Sequence, residues 1–132
     1  MVILDTSVWI DFFRARRPCF DHVSELLERN EVVALSPVFG ELLQGAKTNR
    51  ERTIIMDFWV NLPKVAEPEL FIRAGTESGR RKWLDKGVGL IDAVIVTAAR
   101  ETSSFVWTQD KKLSGLLKRE ERFVVPFSRQ KG

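Results

Sequence analysis

Short runs that are apolar at every position alternate with stretches that are apolar on one side only. Val2-Ile3-Leu4, residues 32–35 and Phe105-Val106-Trp107 belong to the first kind. Strands buried on both faces of a parallel sheet read this way, without the in–out alternation of a half-exposed strand. Phe20, Val23, Leu26 and Leu27 recur at helical spacing and predict a helix over 20–29. Thr6 and Ser7 are N-cap types ahead of a short helix over 8–13. Ser36-Pro37 reads as a cap followed by proline at the first helical position, opening a helix that carries Glu41 and ends near Gly45.

Further along, Ile54, Ile55, Phe58 and Trp59 mark a helix over 50–60, and 62–66 reads as a short strand interrupted by Pro63. A long helix is expected over 68–86, with Gly75 and Gly79 as weak points and Gly87 as its stop. Residues 90–100 are almost all apolar or small and predict a buried helix with Asp92 in its first turn. A short helix over 111–119 and a last strand over 123–125 close the chain. This order predicts an α/β fold with a mainly parallel sheet covered by helices. No repeat, low-complexity tract or linker interrupts it, so 1–132 reads as a single domain.

Four acids fall where such a fold places its ligands. In open parallel sheets, ligands bind at the carboxyl ends of the strands. Asp5 ends the first strand, Asp110 follows the strand at 105–107, Glu41 lies about two turns into its helix, and Asp92 begins the buried helix. A carboxylate within Leu90-Ile91-Asp92-Ala93-Val94-Ile95-Val96 needs a partner. Taken singly, Asp5 and Asp110 also read as N-caps, Glu41 as a solvated helix residue, and Asp92 as a first-turn acid facing the helix dipole. Together they make a carboxylate cluster, which is costly unless a cation neutralises it. Oxygen donors of this kind suit Mg²⁺ or Mn²⁺, and the chemistry implied is metal-assisted phosphodiester hydrolysis.

At this point the chain resembles PIN domains, and within them the VapC-type toxins. Leu4-Asp5-Thr6-Ser7-Val8-Trp9-Ile10-Asp11 is similar to the first motif of the family, a strand ending in Asp followed by Thr and a small polar residue. Gly40-Glu41-Leu42-Leu43-Gln44-Gly45 resembles the second, Leu90 through Ala99 the third, and Trp107-Thr108-Gln109-Asp110-Lys111-Lys112-Leu113 the fourth. The ending of the fourth departs from the aromatic-rich pattern, with Leu113 in its place. The resemblance implies a PIN-like three-layer sandwich and an acidic pocket of Asp5, Glu41, Asp92 and Asp110. Asp5, Asp92 and Asp110 would be ligands of Mg²⁺ or Mn²⁺, Glu41 would act on a second ion or through water, and Thr6 and Thr108 would support the pocket. It implies cleavage of RNA to 5′-phosphate and 3′-hydroxyl ends, a homodimer, and inhibition by a small antitoxin whose tail occupies a groove by the site. Trp9, Phe12 and Phe13 are candidates for that groove, or else core residues. The alternative is a PIN-like scaffold that binds RNA or protein without catalysis, which would be expected to lack one or more of the acids.

Composition narrows the field. Apolar residues make up 44% and charged residues 30%, enough for a core and too balanced for disorder. The net charge of +3 is a weak bias, so placement matters more than the sum. Arg14, Arg16 and Arg17, then Lys47, Arg50 and Arg52, then Arg80, Arg81 and Lys82, then Lys111 and Lys112 form four basic groups; the first, second and fourth follow acidic motifs and are candidates to hold RNA phosphates. Cys19 is the only cysteine, so no disulfide forms within the chain. No signal peptide or membrane span is read, and a cytoplasmic location is expected. His22 is the only histidine and is expected to face solvent, which excludes a two-histidine, metal-free ribonuclease within one chain. Gly87-Val88-Gly89 is no nucleotide fingerprint, because a helix precedes it.

Overall fold

The computed structural model describes residues 1–126; the single-domain reading of 1–132 extends past them. At its centre is β1 (Val2–Leu4), flanked by β2 (Val32–Val33) and β3 (Phe105–Trp107) in a parallel sheet of order β2-β1-β3. Val2 pairs with Val32 and Phe105, Ile3 with Val33 and Val106, and Leu4 with Trp107. Successive strand residues point to opposite faces. Val2, Ile3 and Leu4 are all buried, so both faces of β1 are covered. The chain first runs from β1 to β2 and only later adds β3 on the other side. The β1–β3 crevice is therefore the place where strand order reverses, the position at which open parallel sheets bind ligands.

The helices are α1 (Thr6–Phe13), α2 (Cys19–Glu28), α3 (Ser36–Gly45), α4 (Asn49–Asn61), α5 (Leu70–Arg81), α6 (Leu90–Thr102) and α7 (Lys111–Leu116). Their apolar faces build one core, in which Trp9, Leu35, Leu70, Ile95 and Leu113 are among the largest fully buried side chains. An aromatic seam joins α1, α3 and α4. Trp9 meets Phe39 with ring centres 5.2 Å apart and Phe58 at 5.7 Å. On the other side of the molecule, Arg73 of α5 grips Glu101 of α6 through two nitrogens at 2.7 and 2.9 Å. Gly75 stands beside Leu90, which an added Cβ would meet at an ordinary contact distance of 3.9 Å.

Several expectations are corrected by local physics. The helix expected over 68–86 does not break at Gly75 or Gly79 but at Lys82, which adopts a left-handed φ of 57°. The break swings Trp83 into the core at the start of a 3₁₀ turn, Trp83–Lys86, which Gly87 ends at φ 81°. Burial of a tryptophan outweighs one strained residue. The α1 cap is Asp5 rather than Thr6 or Ser7. Ser36 is the first residue of α3 rather than its cap. Glu67 caps it, accepting from the Ser36 amide at 2.8 Å and from its hydroxyl at 2.6 Å. The strands expected at 62–66 and 123–125 reduce to single parallel bridges, Lys64 to Ala34 and Arg122 to Val106. His22 is half-buried, not solvent-facing.

Candidate active site

Asp5 is held at the carboxyl end of β1 by its own backbone, whose N–H donates to the Trp107 carbonyl at 3.1 Å. Its carboxylate is 6% exposed as a residue and is met by three donors. Ser7 Oγ donates to Oδ1 at 2.6 Å, the Val8 amide donates to the same oxygen at 3.3 Å, and Thr108 Oγ1 donates to Oδ2. Asp5 is thus both an N-cap and a site residue; the two readings coexist. The Thr108 hydroxyl also accepts from the Asp110 amide at 2.9 Å, so one side chain spans two acids. Asp110 Oδ1 caps α7, accepting from the Lys112 and Leu113 amides at 2.7 and 3.3 Å. Its other oxygen accepts nothing from the described residues. Glu41, exposed on α3, is tied to α1 by Thr6 Oγ1 at 2.5 Å.

Asp92 feels the other three acids. Burial pushes its carboxyl up to about 6, and the negative charges of Asp110, Asp5 and Glu41 push the same way. No ion pair among the described residues involves any of the four. Uncompensated carboxylates in one pocket are a standing electrostatic cost, which a bound cation removes. Among the described residues no three Asp, Glu, His or Cys side chains are gathered as a metal ion would gather them. The donor chemistry and charge fit a hard divalent cation.

Three residues here were not singled out from the chain. Ser7 was read as a helix cap and instead braces Asp5. Asp11 accepts from Gln109 Nε2 at 3.0 Å and from Arg16 Nη1 at 3.2 Å, which straps the loop carrying Thr108 and Asp110 to α1. Ser7 and Asp11 stand four residues apart on α1, a same-face spacing that was the available signal. Gln109 had none.

A groove of about 410 Å³ opens beside Glu41, floored by Ile10, Phe13, Leu42 and Ile54, with Arg14 and Lys47 also on its wall. Of the aromatic candidates, Phe13 lines it, whereas Trp9 and Phe12 are core residues. Among the basic candidates, Arg16 and Arg17 are paired with Asp11 and Asp21, while Arg50, Lys111 and Lys112 are exposed without an ion pair among the described residues.

Replacing Thr108 by Val, nearly isosteric, removes both the bond to Asp5 and the acceptor of the Asp110 amide. Cleavage is expected to fall by about 10- to 100-fold, as when partners that orient metal ligands are removed, with recovery in Thr108→Ser. Calorimetric Mn²⁺ titration of the same proteins should weaken in parallel. Unchanged cleavage and unchanged Mn²⁺ affinity would rule out this bracing role.

The fold and this pocket define a PIN-domain protein, and the chain belongs to that family: the PIN domain model matches residues 2–116. It is 32% identical over 117 residues to Ribonuclease VapC32 of Mycobacterium tuberculosis, a match that spans 86% of this chain and 87% of that protein. Two solved structures share its fold. One is VapBC2 from Rickettsia felis bound to a DNA fragment from its promoter, with a TM-score of 0.68 at 18% identity over 92% of this chain and 96% of that one. The other is a toxin–antitoxin complex from Klebsiella pneumoniae, with a TM-score of 0.63 at 21% identity over 88% and 92%.

Proposed function

We propose that this protein is a metal-dependent endoribonuclease and the toxin of a toxin–antitoxin pair. One observation carries the reading: Asp92 is raised to about 6 by burial and by the negative charges of Asp110, Asp5 and Glu41, acids from separate elements, and none of the four makes an ion pair among the described residues. The 32% identity to a ribonuclease named VapC32 supports it. Asp5, Asp92 and Asp110 would hold Mg²⁺ or Mn²⁺, with Glu41 at the margin. When bound, such an ion activates water and offsets the charge that builds on a phosphodiester under attack. The chain's own contribution is orientation: Ser7 and Thr108 fix Asp5, Thr6 fixes Glu41, and the Asp11–Gln109 strap holds the Asp110 loop.

The same comparisons support an antitoxin partner. One solved neighbour is described as a toxin–antitoxin complex and the other as VapBC2 on promoter DNA, and the groove beside Glu41, apolar with Arg14 and Lys47 on its wall, suits the tail of an antitoxin. Arg14, Lys47 and Arg50 are the cations best placed to meet RNA on that side; Arg16 and Arg17 would have to leave their carboxylates. A homodimer in the cytoplasm completes the proposal. No described helix is long and apolar enough to cross a membrane.

The test is incubation of purified, partner-free protein with total cellular RNA in Mn²⁺, in Mg²⁺ and in EDTA. Discrete fragments bearing 5′-phosphates are expected with metal, none in EDTA, and restoration when excess metal is returned. A folded protein that neither cuts RNA nor binds Mn²⁺ would replace this reading with a PIN-like scaffold that binds RNA or protein.

A further inference from the structure

Many arginines on the described surface already face a carboxylate: Arg29 meets Glu25, Arg73 meets Glu101, Arg80 and Arg81 meet Glu77, and Arg100 meets Glu121. Lys86, Lys111 and Lys112 differ. All three are exposed, and none makes an ion pair among the described residues. The fold lays Lys112 on the turn that Lys86 enters. Lys112, on the first turn of α7, lies over the Gly87 turn: a Cβ at 87 would meet its Cδ and Nζ at 3.1 Å. Lys86 adjoins Gly87, one Cα step of about 3.8 Å away. Asp85 in the same 3₁₀ turn makes no ion pair among the described residues either. An anion that bridges two ammonium groups on one turn offsets any repulsion between them.

The place of this turn matters. Gly89, two residues on, caps α6, whose first turn carries Asp92; Asp110, which caps α7, is the foremost charged neighbour of Asp92, and Glu41 the last. The lysines therefore stand on the Asp110 side of the acidic pocket, while Arg14 and Lys47 stand with Glu41. We infer that Lys86 and Lys112 form a phosphate-holding lip that seats the RNA backbone on the Asp110 side of the scissile bond. The inference rests on the ribonuclease reading. A polyanion entering a pocket of carboxylates is repelled, and cations beside the pocket, not in it, offset that without competing for the metal site. Lysine suits the task, since it meets phosphate as a point charge from any direction. Cations on both sides of the acids would stretch the strand across them.

The experiment is anisotropy titration of a fluorescently labelled single-stranded RNA in EDTA, over a salt series, with the double variant Lys86→Gln/Lys112→Gln. Lys64→Gln is the control; that ammonium lies over the Trp59 ring, 4.8 Å from its centre, and takes no part in the lip. At about 0.1 M salt the double variant is expected to bind about tenfold more weakly, with a log–log salt slope shallower by about 1.4, or 0.7 for each lost phosphate contact. The control should match wild type. In Mn²⁺ the variant should show a raised KM with kcat within about twofold, the mark of lost uniform binding. Wild-type affinity and slope in the double variant would overturn the lip, and would leave the ribonuclease reading intact if Mn²⁺-dependent cleavage persists. Failure of the wild type to bind RNA would overturn the lip too. A fall in kcat at unchanged KM would overturn a docking role. Lip-dependent RNA binding by a protein that never cuts would uphold the lip and overturn the ribonuclease reading instead.

Discussion

Asp92→Asn is expected to abolish RNA cleavage, by about 10³-fold or more, and to make the metal-free protein more stable. The first effect follows from its position: a loss of that size corresponds to about 4 kcal/mol of barrier, within the several kcal/mol that a bound metal supplies to charge stabilisation. The second follows from its environment. Burial and three neighbouring acids raise its carboxyl from 3.8 to about 6, so the fold prefers the protonated form. That stabilisation is complete below pH 3.8 and is lost as the pH rises through about 6. At neutral pH the ionised Asp92 works against the fold, and a neutral amide of the same shape does not. Because the side chain is only half-buried, solvent screening cuts the gain to about 1 kcal/mol, or about 4 °C in Tm. Thermal melts in EDTA should show the variant ahead at pH 7 and level with wild type near pH 4. Added Mn²⁺ should then raise the Tm of wild type and much less that of the variant. A variant that melts below wild type in EDTA at pH 7, or one that still cuts RNA, would sink the argument.

The surroundings that oppose the charge of Asp92 are also what made it stand out in the chain. An acid among Leu90-Ile91 and Ala93-Val94 breaks a core pattern without local compensation, and Asp5 ends an apolar strand. Residues whose local context they contradict are conspicuous. The bracing residues contradict nothing. Ser7 looks like a cap and Gln109 like a loop residue, and their bonds to Asp5 and Asp11 depend on sequence-distant packing. The same reasoning covers the fold. β1, β3 and α6 were legible because their apolar runs have one use. The break at Lys82 was not, because it serves the burial of Trp83, which spacing along a helix does not reveal. The strand expected at 123–125 has the right composition, but its exposed Val124 shows that only the start of the segment finds a partner.

Trp9→Ala carries the largest expected loss of stability, and it reaches the site through packing alone. Trp9 is 1% exposed, and its ring meets Phe12 and Phe13 on its own helix at 5.9 and 5.6 Å, as well as Phe39 and Phe58. Truncating a buried tryptophan costs about 3–5 kcal/mol, against a total stability of about 5–15 for a domain. The cavity would open along the seam between α1 and α3. Thr6 stands one turn before Trp9 on α1, and Glu41 stands two residues after Phe39 on α3, so the Thr6–Glu41 bond bridges the same two helices. A loosened seam therefore lets Glu41 drift from Asp5. Urea unfolding should give a midpoint shift of the stated size. At a temperature where the variant remains folded, cleavage should fall by about tenfold, since small misplacements of positioned groups carry rate losses of this order or larger. Phe58→Ala separates the two effects. It removes a half-buried ring from α4 that faces the seam without joining α1 to α3, so it should lower stability while leaving the cleavage rate of the folded protein close to wild type. Equal activity losses in the two variants would mean that Glu41 is held by something other than this aromatic seam.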